Sequence, residues 1–121
     1  MKKLVTFMHD GINSYLNDEG HGAGYANGYV AVPKDHPYYG KDYDDIEINI
    51  HGGLTFSNSG SYILKEWENI EMIEGTSRDL ENSWVFGFDT CHCGDNLNIW
   101  PIEAVIEETL RLKNQLEEVY E

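Results

Sequence analysis

The sequence predicts an α+β fold: a small, mostly antiparallel β-sheet packed against one long C-terminal helix. Three observations predict it. Apolar residues recur every three or four positions over 102–120. Short runs of β-forming residues stand at 29–32 and 84–88. Isoleucine alternates with polar residues over 46–51.

In chain order, Leu4 to Phe7 reads as a short strand and Ile12 to Leu16 as a helical turn. Gly20, Gly22, Gly24 and Gly28, interleaved with Asn17, Asp18 and Asn27, read as turns and a flexible loop, so residues 1–27 form a loop-rich N-terminal segment. Tyr29-Val30-Ala31-Val32 is a strand stopped by Pro33, and 35–40 is an aromatic turn-rich loop. Ile46, Ile48 and Ile50 alternate with Glu47, Asn49 and His51, which predicts a half-buried strand with His51 on its polar face. Gly52-Gly53 breaks that strand, and Leu54-Thr55-Phe56 resumes it through a hairpin or bulge.

Residues 57–82 are expected to be loop with one short helix or strand, and Ser57 to Ser61 is expected to be a turn. Trp84 to Phe88 is a strand with Trp84, Phe86 and Phe88 on one face, followed by a tight loop, Thr90 to Asn96. Ile102, Val105, Ile106, Thr109, Leu112, Leu116 and Val119 form one stripe of a helix. Pro101 suits the first helical position, Glu103 suits its first turn, and Glu107 is placed to pair with Arg111.

At 121 residues the chain fits a single domain, 1–121. Acidic residues number 22 and basic residues 8, a formal charge of −14. That balance opposes direct nucleic-acid binding and adhesion to an anionic membrane. It permits a cation site or an acidic protein-binding surface. The opening Met1-Lys2-Lys3 precedes too short an apolar run for a signal peptide, which needs ~7–15 such residues. Cys91 and Cys93, the two cysteines, cannot build a disulfide framework. A cytoplasmic setting in a bacterial cell is expected, and exposed strand edges leave a homo-oligomer open.

Two segments carry chemically capable side chains where a strand ends in glycine: His51-Gly52-Gly53-Leu54-Thr55 and Asp89-Thr90-Cys91-His92-Cys93-Gly94-Asp95. If their strands are neighbours, His51, Asp89, His92 and Asp95 meet at one edge. Three readings follow. The first is a polar network in which Asp89 caps the loop and the histidines are satisfied partners. The second is a pocket for a small polar ligand, with the Gly52-Gly53 backbone cradling an anion, His51, Thr55 and His92 hydrogen bonding, and Tyr38 and Tyr39 as cover. Tyr29, Trp84 and Trp100 are further stacking candidates. The third is a divalent metal held by His51, Asp89 and His92, with Asp95 alongside; imidazole and carboxylate suit zinc, manganese or iron(II). Lys41 to Asp45 reads as a solvated acidic turn rather than a calcium loop. No nucleophile elbow is present, so serine catalysis is discounted; a cysteine paired with His51 is the remaining nucleophile.

Gly28-Tyr29-Val30-Ala31-Val32-Pro33, Asp35-His36-Pro37-Tyr38-Tyr39-Gly40, His51 to Thr55, and Gly87-Phe88-Asp89-Thr90-Cys91-His92-Cys93-Gly94-Asp95 follow one another before the helix. This order resembles a group of small bacteriophage and bacterial proteins with the pattern GYVxVPxxHPxYG, HGGLT, GFDxxHxGD and a C-terminal helix. The resemblance covers residues 28–121 and marks His36, His51, Thr55, Asp89, His92 and Asp95. It implies a phage-type accessory protein. By analogy it suggests sequestration of a nucleotide-like immune signal. The leading expectation is therefore a binder of a nucleotide-like ligand. The alternatives are a metal-dependent hydrolase using His51, Asp89, His92 and Asp95, and an acidic inhibitor of another protein.

Overall fold

The computed structural model describes residues 4–120. Five strands form one antiparallel sheet: β1 (Val5–His9), β2 (Asn27–Val32), β3 (Phe56–Ser59), β4 (Glu71–Glu74) and β5 (Trp84–Phe88), in the order β3-β5-β2-β1-β4. Three helices accompany it: α1 (Asn13–Asp18), α2 (Gly60–Glu66) and α3 (Ile102–Tyr120). The expected α+β architecture is therefore present, with the 19-residue α3 as its long helix. Among the described residues, no helix is long and apolar enough to cross a membrane.

Strand β2 is central, and all six of its residues are buried. Side chains alternate across a strand, so burial at every position requires cover on both faces. On one face Val30, Val32, Phe86 and Phe88 meet Leu112 and Leu116 of α3. On the other, Phe7, Tyr29, Ala31 and Val85 meet Ile63 of α2 and Leu80, with Trp67 and Phe56 at the margin. Helix α3 comes close at Gly28: a Cβ there would stand 2.1 Å from Thr109 Oγ1.

The second covering layer corrects the expectation for 57–82. That stretch holds β3, α2, β4 and a 3-10 turn, Ser77–Leu80. Ser57 to Ser61 is not a free turn: Ser59 ends β3 and caps α2, its hydroxyl accepting from the Tyr62 N–H at 3.1 Å. Thr76 and Asp79 form a reciprocal cap on the 3-10 turn.

The N-terminal segment is also more structured than a flexible loop. Fully buried Asn13 sends its amide toward Gly24 O, Asn27 Oδ1 and Thr90 Oγ1, at 3.0–3.2 Å. Thr90 N–H donates to Asn27 Oδ1 at 3.0 Å, and Thr90 Oγ1 donates to Ala26 O at 2.8 Å. This network fastens residues 13–27 to the start of the loop after β5.

The alternating isoleucines are correctly read as facing the core, but they do not form a strand. Ile50 is buried, Ile46 and Ile48 are half-buried, and all three pack with the α3-face core, while Glu47 and Asn49 are exposed. The backbone ladder that a sheet would supply is replaced by side chains of α3. Asn49 N–H donates to Gln115 Oε1, and Gln115 Nε2 donates back to Asn49 O, both at 2.9 Å. His51 N–H donates to Glu108 Oε2 at 2.8 Å. Period-two burial therefore follows from an extended chain lying against a helix, with no neighbouring strand. Arg111 correspondingly pairs with Glu108, three residues away, and not with Glu107; the two bonds are 3.0 and 2.9 Å.

Candidate metal centre

His51 sits in a turn that follows the extended segment. Gly53 N–H donates to Ile50 O at 2.9 Å, and Gly52 takes φ +67°, a left-handed angle that glycine adopts without a Cβ penalty. The second segment is a loop issuing from β5. Asp95 N–H donates to His92 O at 2.9 Å, folding the loop so that the Asp95 carboxylate turns back over it.

The two segments meet because the first runs into β3, which pairs with β5, and the second leaves the end of β5. His51 Nε2 lies 3.0 and 3.1 Å from the two oxygens of Asp95. The His92 N–H donates to Asp95 Oδ2 at 2.8 Å, and His92 Nδ1 lies 3.2 Å from the same oxygen. The imidazoles stand edge to face, 5.0 Å between centroids. The Gly52 backbone presses against His92: a Cβ on Gly52 would lie 2.3 Å from His92 Cε1. Trp100 packs against His51, 4.4 Å between ring centroids.

One donor atom from each of His51, His92 and Asp95 can be chosen so that all lie within 4.8 Å of one another. Ligands at ~2.0–2.2 Å from a tetrahedral ion stand ~3.3–3.6 Å apart, so a shift of ~1 Å brings the three onto one centre. Asp89, expected as a direct ligand, stands behind His92: its Oδ1 is 3.4 Å from His92 Nε2. That places a carboxylate beside one imidazole nitrogen while the other faces the cluster; a hydrogen bond between the two would orient His92 as a metal ligand. The carboxylate whose oxygen lies close to donor atoms of both histidines is that of Asp95.

The electrostatics suit a cation. Burial pushes the Asp95 carboxyl up, but the hydrogen bonds from His51 and from the His92 backbone, with the His51 charge and the His92 ring, outweigh it and hold the carboxyl below its ordinary value. The Arg111 hydrogen bond is the largest influence keeping Glu108 ionised, with the His51 N–H and the Arg111 charge adding to it against a smaller effect of burial. The Asp95 carboxylate thus faces two imidazoles, a donor set that suits a divalent ion. Cys91 is not a poised nucleophile. Its thiol donates to Asp89 Oδ1 at 3.3 Å, and burial, then Asp89, push its pKa up to about 11.

The remaining expected site residues lie elsewhere. Tyr39 packs beside Trp84, 6.2 Å between centroids, at the start of β5, whereas Asp89 follows its end, ~16 Å along the strand. Tyr38 stacks edgewise on His36. Neither covers His51. Buried His36 is a fastener for the helix: Nδ1 accepts the Tyr38 N–H at 2.9 Å, so Nε2 carries the hydrogen and donates to Leu116 O at 2.8 Å. Burial lowers its pKa. Thr55 is exposed, and its N–H extends the β3–β5 pairing by donating to Gly87 O at 2.9 Å. Gly53, at φ +79°, has open space where a Cβ would stand.

Sequence reasoning missed Glu108, which fixes the backbone of His51. The available signal was its place, with Gln115, along the border of the buried stripe Val105, Thr109, Leu112 and Leu116. No family model matches the chain, and no curated protein or solved structure matches it either.

Proposed function

We propose that this chain binds one first-row divalent metal ion through His51, His92 and Asp95 and uses it for hydrolysis. The observation that carries the reading is the convergence of three donor atoms, with Asp89 behind one of the imidazoles. A bound ion of this class is a Lewis acid and lowers the pKa of a coordinated water. Three protein ligands leave a position for that water. The chain's own groups do the rest: Glu108 holds the His51 backbone, Asp89 orients His92, and Trp100 packs against His51. In the arrangement described, His51 Nε2 and His92 Nδ1 face a carboxylate, which only accepts, so each carries hydrogen there. A metal at those nitrogens requires the tautomer whose hydrogen sits on the other ring nitrogen, which in His92 lies beside Asp89.

The nucleotide-binding reading has less support in this geometry. A phosphate at His51 and His92 would meet Asp89, Asp95 and Glu108, and Arg111 is already engaged with both oxygens of Glu108. A bound metal would have to come first. The role in a phage-infected or bacterial cell stays an expectation of the sequence pattern.

The test is elemental analysis of purified protein together with hydrolysis of p-nitrophenyl ester and phosphodiester probes. The reading expects one metal equivalent per chain, turnover that a chelator abolishes and added metal restores, and loss of both in His92→Ala. Metal-free protein that takes up no zinc, manganese or iron(II) on incubation contradicts it.

A further inference from the structure

The extended segment before His51 has one edge engaged and the other open. Along an extended chain, the N–H and C=O of successive residues point to alternate sides. Asn49 and His51 turn theirs toward α3, where Gln115 and Glu108 bond them. Ile48 therefore turns its N–H and C=O the other way. That is the side to which Ile50 O points and where it accepts the Gly53 N–H. Among the described residues, no hydrogen bond is made by the Ile48 N–H or C=O.

A groove of about 660 Å³ runs along this segment, lined by Tyr43, Asp44, Ile46, Glu47, Ile48 and Leu54, with Asn49 and, from α3, Gln115 also on its border, and it reaches Gly53. Its charged lining residues are Asp44 and Glu47, with no lysine or arginine. An unpaired strand-like edge, apolar flanks and an acidic rim together define what fits: a second extended chain, paired through its backbone and carrying basic side chains.

We propose that this groove binds an extended, lysine- or arginine-bearing peptide segment of another protein, which adds as a strand to the Ile48 edge. The segment's backbone exchanges hydrogen bonds with Ile48. Its apolar side chains lie toward Ile46 and Leu54, and its basic side chains meet Asp44 and Glu47. The proposal stands without the metal. With the metal reading also true, the groove leads a bound peptide toward Gly53, two residues from His51.

The test is a two-dimensional NMR titration of the full chain at 150 mM salt, in the presence of a chelator. The probe is an amidated peptide of alternating lysine and valine, with its glutamate counterpart as control. Because the chelator removes metal, failure of the metal reading leaves this experiment intact. The expected result is a shift of the Ile48, Gly53 and Leu54 amides, slowed hydrogen exchange at Ile48, and no response to the glutamate peptide. Glu47→Lys should weaken binding tenfold or more, while Glu103→Lys, the same charge change on the exposed face of α3, should change it less than twofold. Shifts spread over the acidic surface without protection of Ile48, or equal losses in the two variants, overturn the proposal.

Discussion

Replacing Gly52 by alanine tests whether the site's geometry rests on the contact between the two loops. Gly52 and Gly53 both take left-handed angles, φ +67° and +79°. A non-glycine residue pays ~1–2 kcal/mol for that conformation. At Gly53 nothing lies within 4 Å of the added Cβ, so Gly53→Ala should lose about that much stability and nothing else. At Gly52 the Cβ would stand 2.3 Å from His92 Cε1 and 2.4 Å from Nε2. Ordinary carbon contacts begin at ~3.5 Å, so the imidazole must withdraw by ~1.2 Å. His92 Nδ1 is 3.2 Å from Asp95 Oδ2, so a move of that size is large enough to disturb the contact. Zinc affinity, measured by competition with a chromophoric chelator, should fall ~10–100-fold or more in Gly52→Ala. It should be unchanged in Gly53→Ala, with urea denaturation reporting the shared stability loss. Equal zinc affinity in the two variants would refute the reasoning.

Other outcomes follow from the same geometry. Asp95 has a folded pKa below its unfolded value, so its stabilising contribution is complete above pH ~4 and is lost as pH falls through the folded value. The urea midpoint of metal-free Asp95→Asn should therefore lie below that of the native sequence at pH 7, with the gap narrowing as acidification protonates Asp95 in the folded chain. Glu108→Ala leaves the His51 N–H without its charged partner, a bond of a kind worth ~1.5–3 kcal/mol; denaturation should show that loss, and chelator competition should show weaker zinc binding. Gly28→Ala drives a Cβ to 2.1 Å from Thr109 Oγ1 and 2.5 Å from Phe88, lifting α3 from the sheet, and calorimetry should record one of the largest losses of thermal stability of any single substitution. Phe86→Ala, at a fully buried position under α3, should cost ~3–5 kcal/mol by the same assays.

The parts of the fold that were legible in the sequence are those where one periodicity maps onto one packing partner. The stripe of α3 and the alternation of β5 belong to this kind, and both hold as predicted. The alternation at 46–51 reported burial faithfully but could not report the hydrogen-bond partner, since a helix side chain and a neighbouring strand leave the same pattern of exposed and buried residues. The stretch 57–82 was illegible because its elements are four to seven residues long, too short for a period to emerge from Ser, Asn and Gly. At the site, chemical type identified His51, His92 and the two aspartates. The division of roles between Asp89 and Asp95 depends on how the 89–95 loop folds, which side-chain identity does not encode. Tyr38 and Tyr39 were misplaced because an aromatic pair in a loop looks the same whether it covers a ligand or the far end of the core.

The central claim is that His51, His92 and Asp95 share one ion. Isothermal titration of chelator-treated protein with zinc addresses it most directly, with circular dichroism confirming that each variant retains its fold. The account predicts a single site in the native sequence, and its loss in His51→Ala, His92→Ala and Asp95→Asn, with Asp89→Asn weakened but still binding. Absence of zinc binding by the native chain, or binding that survives unchanged in all three ligand variants, would contradict it.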